Sequence, residues 1–126
     1  MQITEFLHRY GPWAVVTGAS DGIGQACAHE LARRGLNLVL VARRENRLQS
    51  LAAALTAQHG VQVRLVVTDL ARPHGNVPLF NALEGLEVGL LVAAAGFGSA
   101  GDFLQQDLHD EVEMLHVNCR SVLEQV

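Results

Sequence analysis

The stretch that decides the fold is residues 17–24, which read Thr17-Gly18-Ala19-Ser20-Asp21-Gly22-Ile23-Gly24. It joins the β-branched run 13–17, a predicted strand, to a helical pattern. Gly18 allows a sharp turn, Gly22 lets backbone approach a pyrophosphate, and Gly24 allows a helix to pack closely on a strand. Free N–H groups at the start of that helix favour a phosphate. The pattern predicts a phosphate-binding turn, and the alternative is a glycine-rich turn without a ligand. A P-loop is excluded because no Gly-Lys-Ser/Thr follows.

Outward from this turn, short apolar runs alternate with helical patterns, which is the rhythm of an α/β fold. Strands are predicted at 13–17, 36–42, 61–67 and 88–93. The second run is almost wholly apolar, as in a central strand covered on both faces, whereas the third contains two polar residues and has a less buried face. Right-handed crossovers give a Rossmann-like doubly wound parallel sheet of about four strands in the order 3-2-1-4, with helices on both faces. The fourth strand then lies at an edge.

The helical patterns supply the crossovers. The helix after the glycine turn is predicted to end at Gly35 and to bury one face, formed by Ile23, Ala26, Cys27 and Leu31. A second helix is predicted from Glu45 to Gly60, and a short one around 79–83. A last helix, from about Asp107, presents an apolar stripe of Leu108, Val112, Leu115, Cys119, Val122 and Val126.

Composition limits the class of protein. The 126 residues fit one domain, 1–126, and apolar residues make up 49% of them, enough for a core. The net charge of −4 and the pI of about 5.8 argue against nucleic acid as a partner. The longest apolar stretch, 88–97, is too short to span a membrane, so we expect no membrane partner and a cytoplasmic protein. Cys27 and Cys119 lie far apart without clustered ligands, so no metal site and no disulfide framework is indicated.

The glycine spacing resembles the first turn of classical short-chain dehydrogenases/reductases, Thr-Gly-x-x-x-Gly-x-Gly. The resemblance continues in order through Asp69-Leu70 after the third predicted strand, Ala95-Gly96 after the fourth, and Asn118 in the last helix. It implies a nicotinamide dinucleotide in the glycine turn, bound by residues that include Gly18, Ser20, Asp21, Gly22, Ile23 and Gly24.

The residues after the second predicted strand favour one dinucleotide. An NAD site usually has a carboxylate about twenty residues past the glycines, for the ribose 2′-hydroxyl. Here the chain reads Ala42-Arg43-Arg44, and two guanidinium groups would attract a 2′-phosphate. NADP is therefore favoured over NAD. The alternative is that Arg43 and Arg44 are solvated and that Glu45 only complements the dipole of the next helix.

The resemblance also implies roles for later residues. Asp69 would accept a hydrogen bond from the adenine amino group, and Leu70 would pack on the ring; the alternative for Asp69 is an N-cap or turn residue. Backbone of Ala94, Ala95 and Gly96 would line the cofactor. The usual Asn-Asn-Ala-Gly of the family is here Ala93-Ala94-Ala95-Gly96, so two amides that tie this strand to its neighbours are lost.

By resemblance the activity is hydride transfer between the nicotinamide and a small-molecule carbonyl or alcohol. The family uses a Tyr, a Lys, a Ser and a helix Asn that organises a proton-relay water, and Asn118 is the one match. Asn118 lies beside the apolar stripe, so we expect it to face inward, hydrogen-bonded; the alternative is a solvated Asn. All nine basic residues are Arg, and Tyr10 is the one Tyr.

We therefore expect the cofactor-binding part of a longer NADP-dependent oxidoreductase, inactive by itself. The resemblance of the last helix to a family dimer helix implies a homo-oligomer. The alternative is a non-catalytic NADP-binding sensor, or a subunit that needs a partner chain. A methyltransferase on a similar fold is weakened by the glycine spacing.

Overall fold

The computed structural model describes residues 3–96, 109, 112 and 115–126. Its sheet has four strands, and all neighbouring strands pair in parallel in the order β3-β2-β1-β4. The strands are β1 (Trp13–Thr17), β2 (Asn37–Ala42), β3 (Val63–Val67) and β4 (Val88–Ala93). The helices are α1 (Ile3–Tyr10), α2 (Gly22–Arg33), α3 (Glu45–His59), α4 (Val77–Leu83), a π-helical turn (His116–Ser121) and α5 (Val122–Gln125).

The predicted fold class is confirmed: a Rossmann-like parallel sheet with helices on both faces, in the predicted strand order. The second strand begins one residue later than predicted and the third two residues later. β2 is buried almost throughout, whereas Arg64 and Val67 of β3 are exposed, as the polar residues of that run predicted. β4 lies at an edge of the described sheet.

The sheet separates two apolar cores because successive strand residues point to opposite faces. Ala14 and Val16 of β1 belong to the larger core, which contains the buried residues of α2 and α3. Trp13 and Val15 point the other way, toward Leu79 of α4. This two-sided covering explains why β1 and β2 read as continuous apolar runs.

The predicted buried face of α2 was wrong in part. Ile23 is 77% exposed and Ala26 is also exposed, while Leu31 is buried as predicted. The residues of α2 that lie in the core are Gly24, Ala28, Leu31 and Ala32. The face is rotated because Gly24 packs directly on the glycine turn, which fixes the helix's orientation and directs Ile23 away from the core.

The N-terminal helix α1 was not predicted from the sequence. The rings of Phe6 and Tyr10 lie 4.9 Å apart and pack against the larger core, and the Arg34 guanidinium lies 4.8 Å from the Phe6 ring centroid. Gly89 accommodates the end of this helix, because a Cβ there would lie 2.4 Å from the Tyr10 carbonyl oxygen. This contact coincides with an irregularity in the β1–β4 register between Trp13 and Ala14.

The last helix differs from the regular helix that the apolar spacing predicted. Residues 116–121 form a π-helical turn, whose wider backbone spacing changes the direction of the side chains. Asn118, which was expected to face inward, is exposed to solvent, and its Oδ1 lies beside Gly96. The stripe is open to solvent at Leu115, which is 60% exposed, and at Val126, which is 92% exposed. Asp107 and Leu108 lie outside the described residues.

Candidate functional site

A cleft of about 360 Å³ lies at the carboxyl ends of the strands, where ligands bind in open α/β sheets. The loops after all four strands contribute to it, together with the first turn of the π-helical segment. Its lining residues are Gly18, Ser20, Asp21, Gly22, Ile23, Val41, Ala42, Arg43, Arg44, Thr68, Asp69, Leu70, Ala94, Ala95, Gly96 and Val117. The structure thus brings together every residue predicted to bind the cofactor except Gly24.

The glycine turn is held by close backbone contacts. Gly18 has φ +64°, and a Cβ there would lie 2.7 Å from the Ala95 nitrogen, so no other residue fits without displacing the loop after β4. Gly24 lies beneath the turn, where a Cβ would come within 2.1 Å of the Gly18 carbonyl oxygen. Gly24 therefore supports the site from the core side and does not line it.

Gly22 differs from these two glycines. Its φ is +51°, yet a Cβ there would have no neighbour within 4 Å among the described residues. The Asp21 side chain accepts a hydrogen bond from the Gly22 N–H at 2.8 Å and caps α2. Gly22 thus leaves open space at the N-terminus of α2, where N–H donors and the helix dipole favour an anion. The exposed Ile23 side chain lines the same part of the cleft.

Arg43 and Arg44 line the cleft directly after β2. Both are exposed, and within the described part of the chain neither forms an ion pair. The next carboxylate, Glu45, begins α3 and accepts a hydrogen bond from Gln49 Nε2 at 3.3 Å. Two solvent-exposed guanidinium groups therefore occupy the position at which an NAD site has its Asp or Glu carboxylate.

The loop after β3 brings Asp69 and Leu70 to the cleft. Asp69 Oδ1 accepts a hydrogen bond from the Ala71 N–H at 2.9 Å, so the turn role considered as an alternative is present. Asp69 Oδ2 lies 3.8 Å from Arg72 Nε. Leu70 is 6% exposed, with an edge that still lines the cleft. One oxygen of Asp69 is thus used by the loop itself, and the carboxylate still lies at the cleft wall.

The loop after β4 is tied to β1 by a residue that sequence reasoning missed. Thr17, 1% exposed, accepts a hydrogen bond through Oγ1 from the Ala95 N–H at 3.2 Å. This contact supplies a link between β1 and β4 although the two family amides are absent. Threonine at the end of a strand gives no warning of such a role, because the partner is 78 residues away in the chain.

Asn118 lies beside this loop. Its Oδ1 is 2.6 Å from the position that a Cβ on Gly96 would occupy. The residue predicted for catalysis and the glycine predicted to line the cofactor are therefore adjacent. Val117, which precedes Asn118, lines the cleft, and so do Val41, Ala42 and Thr68, none of which was predicted.

The family model for short chain dehydrogenases matches residues 12–126. The chain belongs to this family. Among its relatives, the 7β-hydroxysteroid dehydrogenase of Clostridium sardiniense is 34% identical over 116 residues, which are 92% of this chain and 44% of the relative. A solved structure of a 7β-hydroxysteroid dehydrogenase superposes with a TM-score of 0.90 at 31% identity and covers 98% of this chain and 47% of that one.

A short-chain dehydrogenase from Sphingobium yanoikuyae, solved in complex with NADPH, superposes with a TM-score of 0.81 at 36% identity. The match covers 90% of this chain and 44% of that protein. This short-chain dehydrogenase chain thus spans under half the length of the relatives that it matches.

No helix in the described ranges is long and apolar enough to cross a membrane. Among the same residues, no three His, Cys, Asp or Glu side chains are grouped as a metal site would require.

Proposed function

We propose that this chain is the cofactor-binding part, residues 1–126, of a longer NADP(H)-dependent short-chain oxidoreductase. The observation that carries the proposal is the convergence of the glycine turn, the two arginines and the 94–96 backbone on one cleft of about 360 Å³. Membership of the family and the NADPH complex of the Sphingobium yanoikuyae relative support it.

Each wall of the cleft has a part in binding. The open space at Gly22 and the N-terminus of α2 accept the pyrophosphate. Arg43 and Arg44 bind the 2′-phosphate, and their lack of ion pairs within the described residues leaves both guanidinium groups available for it. Asp69 and Leu70 hold the adenine end.

Two sets of lining residues complete the binding site. Ser20, Asp21 and Ile23 line the cleft at the glycine turn, and backbone of Ala94, Ala95 and Gly96 lines the wall that adjoins Gly18. We assign this wall to the nicotinamide half, because it adjoins Asn118.

The reaction that we propose is hydride transfer between the nicotinamide and a small-molecule carbonyl or alcohol, and the bound NADP(H) supplies or accepts the hydride. Asn118 would hold a water of the proton relay, and the acid/base Tyr would exchange the proton with the reacting oxygen. The residues 1–126 contain no Lys, and Tyr10 lies in α1. We therefore place the acid/base Tyr and its Lys in the remainder of the protein and expect these 126 residues alone to bind without turnover.

We further propose a cytoplasmic homo-oligomer. Cys27 and Cys119 are free thiols, which suits a reducing compartment. The exposed apolar residues Leu115, Leu123 and Val126 give the last helix a surface that suits another subunit.

The test is to titrate NADPH and NADH into the full-length product of the gene and into residues 1–126, and to assay carbonyl reduction with a panel that includes steroid ketones. We expect tighter binding of NADPH than of NADH by the full-length protein, and turnover by that protein alone. Binding without turnover in the full-length protein would favour the non-catalytic NADP-binding subunit. Binding of S-adenosylmethionine without NADPH would refute the proposal.

A further inference from the structure

The last helix is attached to the loop after β3 through one guanidinium group. Arg120 Nη2 lies 3.5, 3.4 and 2.5 Å from the carbonyl oxygens of Leu70, Ala71 and Arg72. Three successive carbonyls thus converge on one cation. Hydrogen bonds from a charged donor are about twice as strong as neutral ones, so this contact holds the loop in one shape.

A buried polar cluster supports the same attachment. Asn76 and Ser121 are 3% and 1% exposed, and Asn76 Nδ2 donates to the Ser121 carbonyl oxygen at 3.1 Å. Asn76 Nδ2 also lies 3.0 Å from Glu124 Oε2, and Gln125 Nε2 donates to Asn76 Oδ1 at 2.8 Å. The helix is therefore fixed at both ends of the loop, through Arg120 at 70–72 and through Asn76 at the start of α4.

Glu124 connects the two contacts. Its Oε1 lies 3.5 Å from Arg120 Nε while its other oxygen accepts from Asn76. Arg120 Nε is buried without a hydrogen-bond partner among the described residues, so this contact is an ion pair that partly neutralises the charge of Arg120, which therefore acts on the carbonyls at short range and adds little field to the cleft.

The loop that Arg120 contacts carries Asp69 and Leu70, two of the residues that line the cleft. Its internal bonds include those from the Ala71 N–H to Asp69 Oδ1, from the Arg72 N–H to the Asp69 carbonyl oxygen at 3.1 Å, and from Thr68 Oγ1 to the Gly75 carbonyl oxygen at 2.7 Å. The start of the loop is also tied to β2, because the Thr68 N–H donates to the Ala42 carbonyl oxygen at 3.1 Å, but none of these bonds ties residues 70–72 to the last helix. Arg120 connects residues 70–72 to the last helix, two residues after Asn118.

We propose that Arg120 is a positioning residue for the adenine end of the dinucleotide. It holds Asp69 and Leu70 at the cleft wall through the carbonyls of residues 70–72, without touching the nucleotide. The inference rests on the proposed binding of NADP(H). Arg120 would thus be a residue of the last helix that affects cofactor affinity. The same helix would then support Asp69 and Leu70 at the adenine end and carry Asn118.

The test compares the wild-type full-length protein with Arg120→Met, which keeps the side-chain length but removes the donors, and Arg120→Lys. Arg64→Met is the matched control, because Arg64 Nη1 also reaches a backbone carbonyl, that of Ala82 at 3.5 Å, without lining the cleft. The probes are NADPH, NADH, adenosine 2′,5′-bisphosphate and reduced nicotinamide mononucleotide.

In Arg120→Met we expect the Kd for NADPH and for adenosine 2′,5′-bisphosphate to rise about tenfold, which corresponds to the loss of about one charged hydrogen bond. The Kd for reduced nicotinamide mononucleotide should stay unchanged, because the wall formed by residues 94–96 is not altered. The ratio of NADPH to NADH affinity should also stay unchanged, because Arg43 and Arg44 are not altered. Arg120→Lys has a smaller effect, and Arg64→Met has none. Amide hydrogen exchange of residues 69–75 in the nucleotide-free protein becomes faster in Arg120→Met.

Unchanged binding of adenosine 2′,5′-bisphosphate by Arg120→Met would overturn the inference, and so would an equal loss for the mononucleotide or for Arg64→Met. If Arg120→Met does not fold, the same comparison with Arg120→Lys decides. A wild-type protein that binds no NADPH would instead refute the proposed function on which the inference rests.

Discussion

Gly24 of α2 lies so close to Gly18 of the turn that a Cβ on Gly24 would come within 2.1 Å of the Gly18 carbonyl oxygen. The obstacle is backbone, which cannot rotate away as a side chain would. The shape of the glycine turn is therefore fixed from below by a residue that does not line the cleft.

For this reason Gly24→Ala should lower the free energy of unfolding by about 2–3 kcal/mol, the upper part of the range for overpacking, because the obstacle is backbone. Chemical denaturation measures the loss. Gln25→Ala, on the exposed side of the same helix, is the control and should change stability by less than about 0.5 kcal/mol. An equal, small effect of the two variants would show that α2 can move away from the turn at little cost.

Gly22 and Gly60 form a matched pair for separating backbone strain from ligand contact. Both have positive φ, +51° and +69°, and in both a Cβ has no neighbour within 4 Å among the described residues. Each Ala variant should lose about 1–2 kcal/mol of stability because a Cβ disfavours this conformation. Gly22→Ala alone should also weaken NADPH binding, by about tenfold or more, since Gly22 lines the cleft and Gly60 caps α3. Calorimetric titration of both variants decides, and equal Kd values would argue against a pyrophosphate at Gly22.

Arg43→Asp should reverse the preference between the dinucleotides. The substitution removes a cation from the 2′-phosphate and introduces the acid that binds a ribose diol. We expect the Kd for NADPH to rise by about a hundredfold and the Kd for NADH to change little or fall. Arg64→Asp, an exposed arginine of β3 outside the cleft, controls for the general change in charge. Equal weakening of both dinucleotides would contradict the assignment of Arg43.

The adjacency of Gly96 and Asn118 leads to a kinetic prediction for the full-length protein. Asn118→Ala should lower kcat by about a hundredfold, the size of a proton-transfer contribution, while the Kd for NADPH changes little. Gly96→Ala should lower kcat too, because a Cβ there would displace Asn118 Oδ1, 2.6 Å away. A fall in NADPH affinity with unchanged kcat would assign Asn118 to binding and not to proton transfer.

Glu30 gives a pH-dependent prediction remote from the cleft. Hydrogen bonds from Arg33, and then from Arg34, lower the pKa of Glu30 from its ordinary value of 4.5 to about 2. A carboxyl whose pKa is lower in the folded state stabilises the fold above its unfolded pKa, and this contribution is lost as pH falls from about 4.5 toward 2. Glu30 and Arg33 are solvent-exposed, so the change in folding stability with pH is small.

Carboxyl NMR titration should place the Glu30 midpoint near 2, and Arg33→Met should raise it. Thermal unfolding between pH 5 and 2 should be less pH-dependent in Glu30→Gln than in the wild type. Glu84→Gln serves as the control for the loss of one exposed carboxylate. A Glu30 midpoint that stays at its ordinary value in the wild-type protein would show that the two arginines are solvated.

Much of the fold follows from local sequence. The apolar runs predicted four parallel strands in the order 3-2-1-4, because strands covered on both faces must be apolar and crossovers are right-handed. The ends of the glycine turn and of the helix at Gly60 were also predictable, since positive φ at Gly18 and Gly60 is a local property. The sequence by itself therefore determined the sheet and the location of the cleft.

Tertiary packing decided the rest. The buried face of α2 is set by the contact of Gly24 with Gly18, which outweighs the hydrophobicity of Ile23 and leaves that side chain in the cleft. The hydrogen bonds from Arg120 to the carbonyls of residues 70–72 join segments about fifty residues apart. Such contacts have no periodic signature in the sequence, because each depends on the position of a backbone carbonyl that only the folded chain supplies.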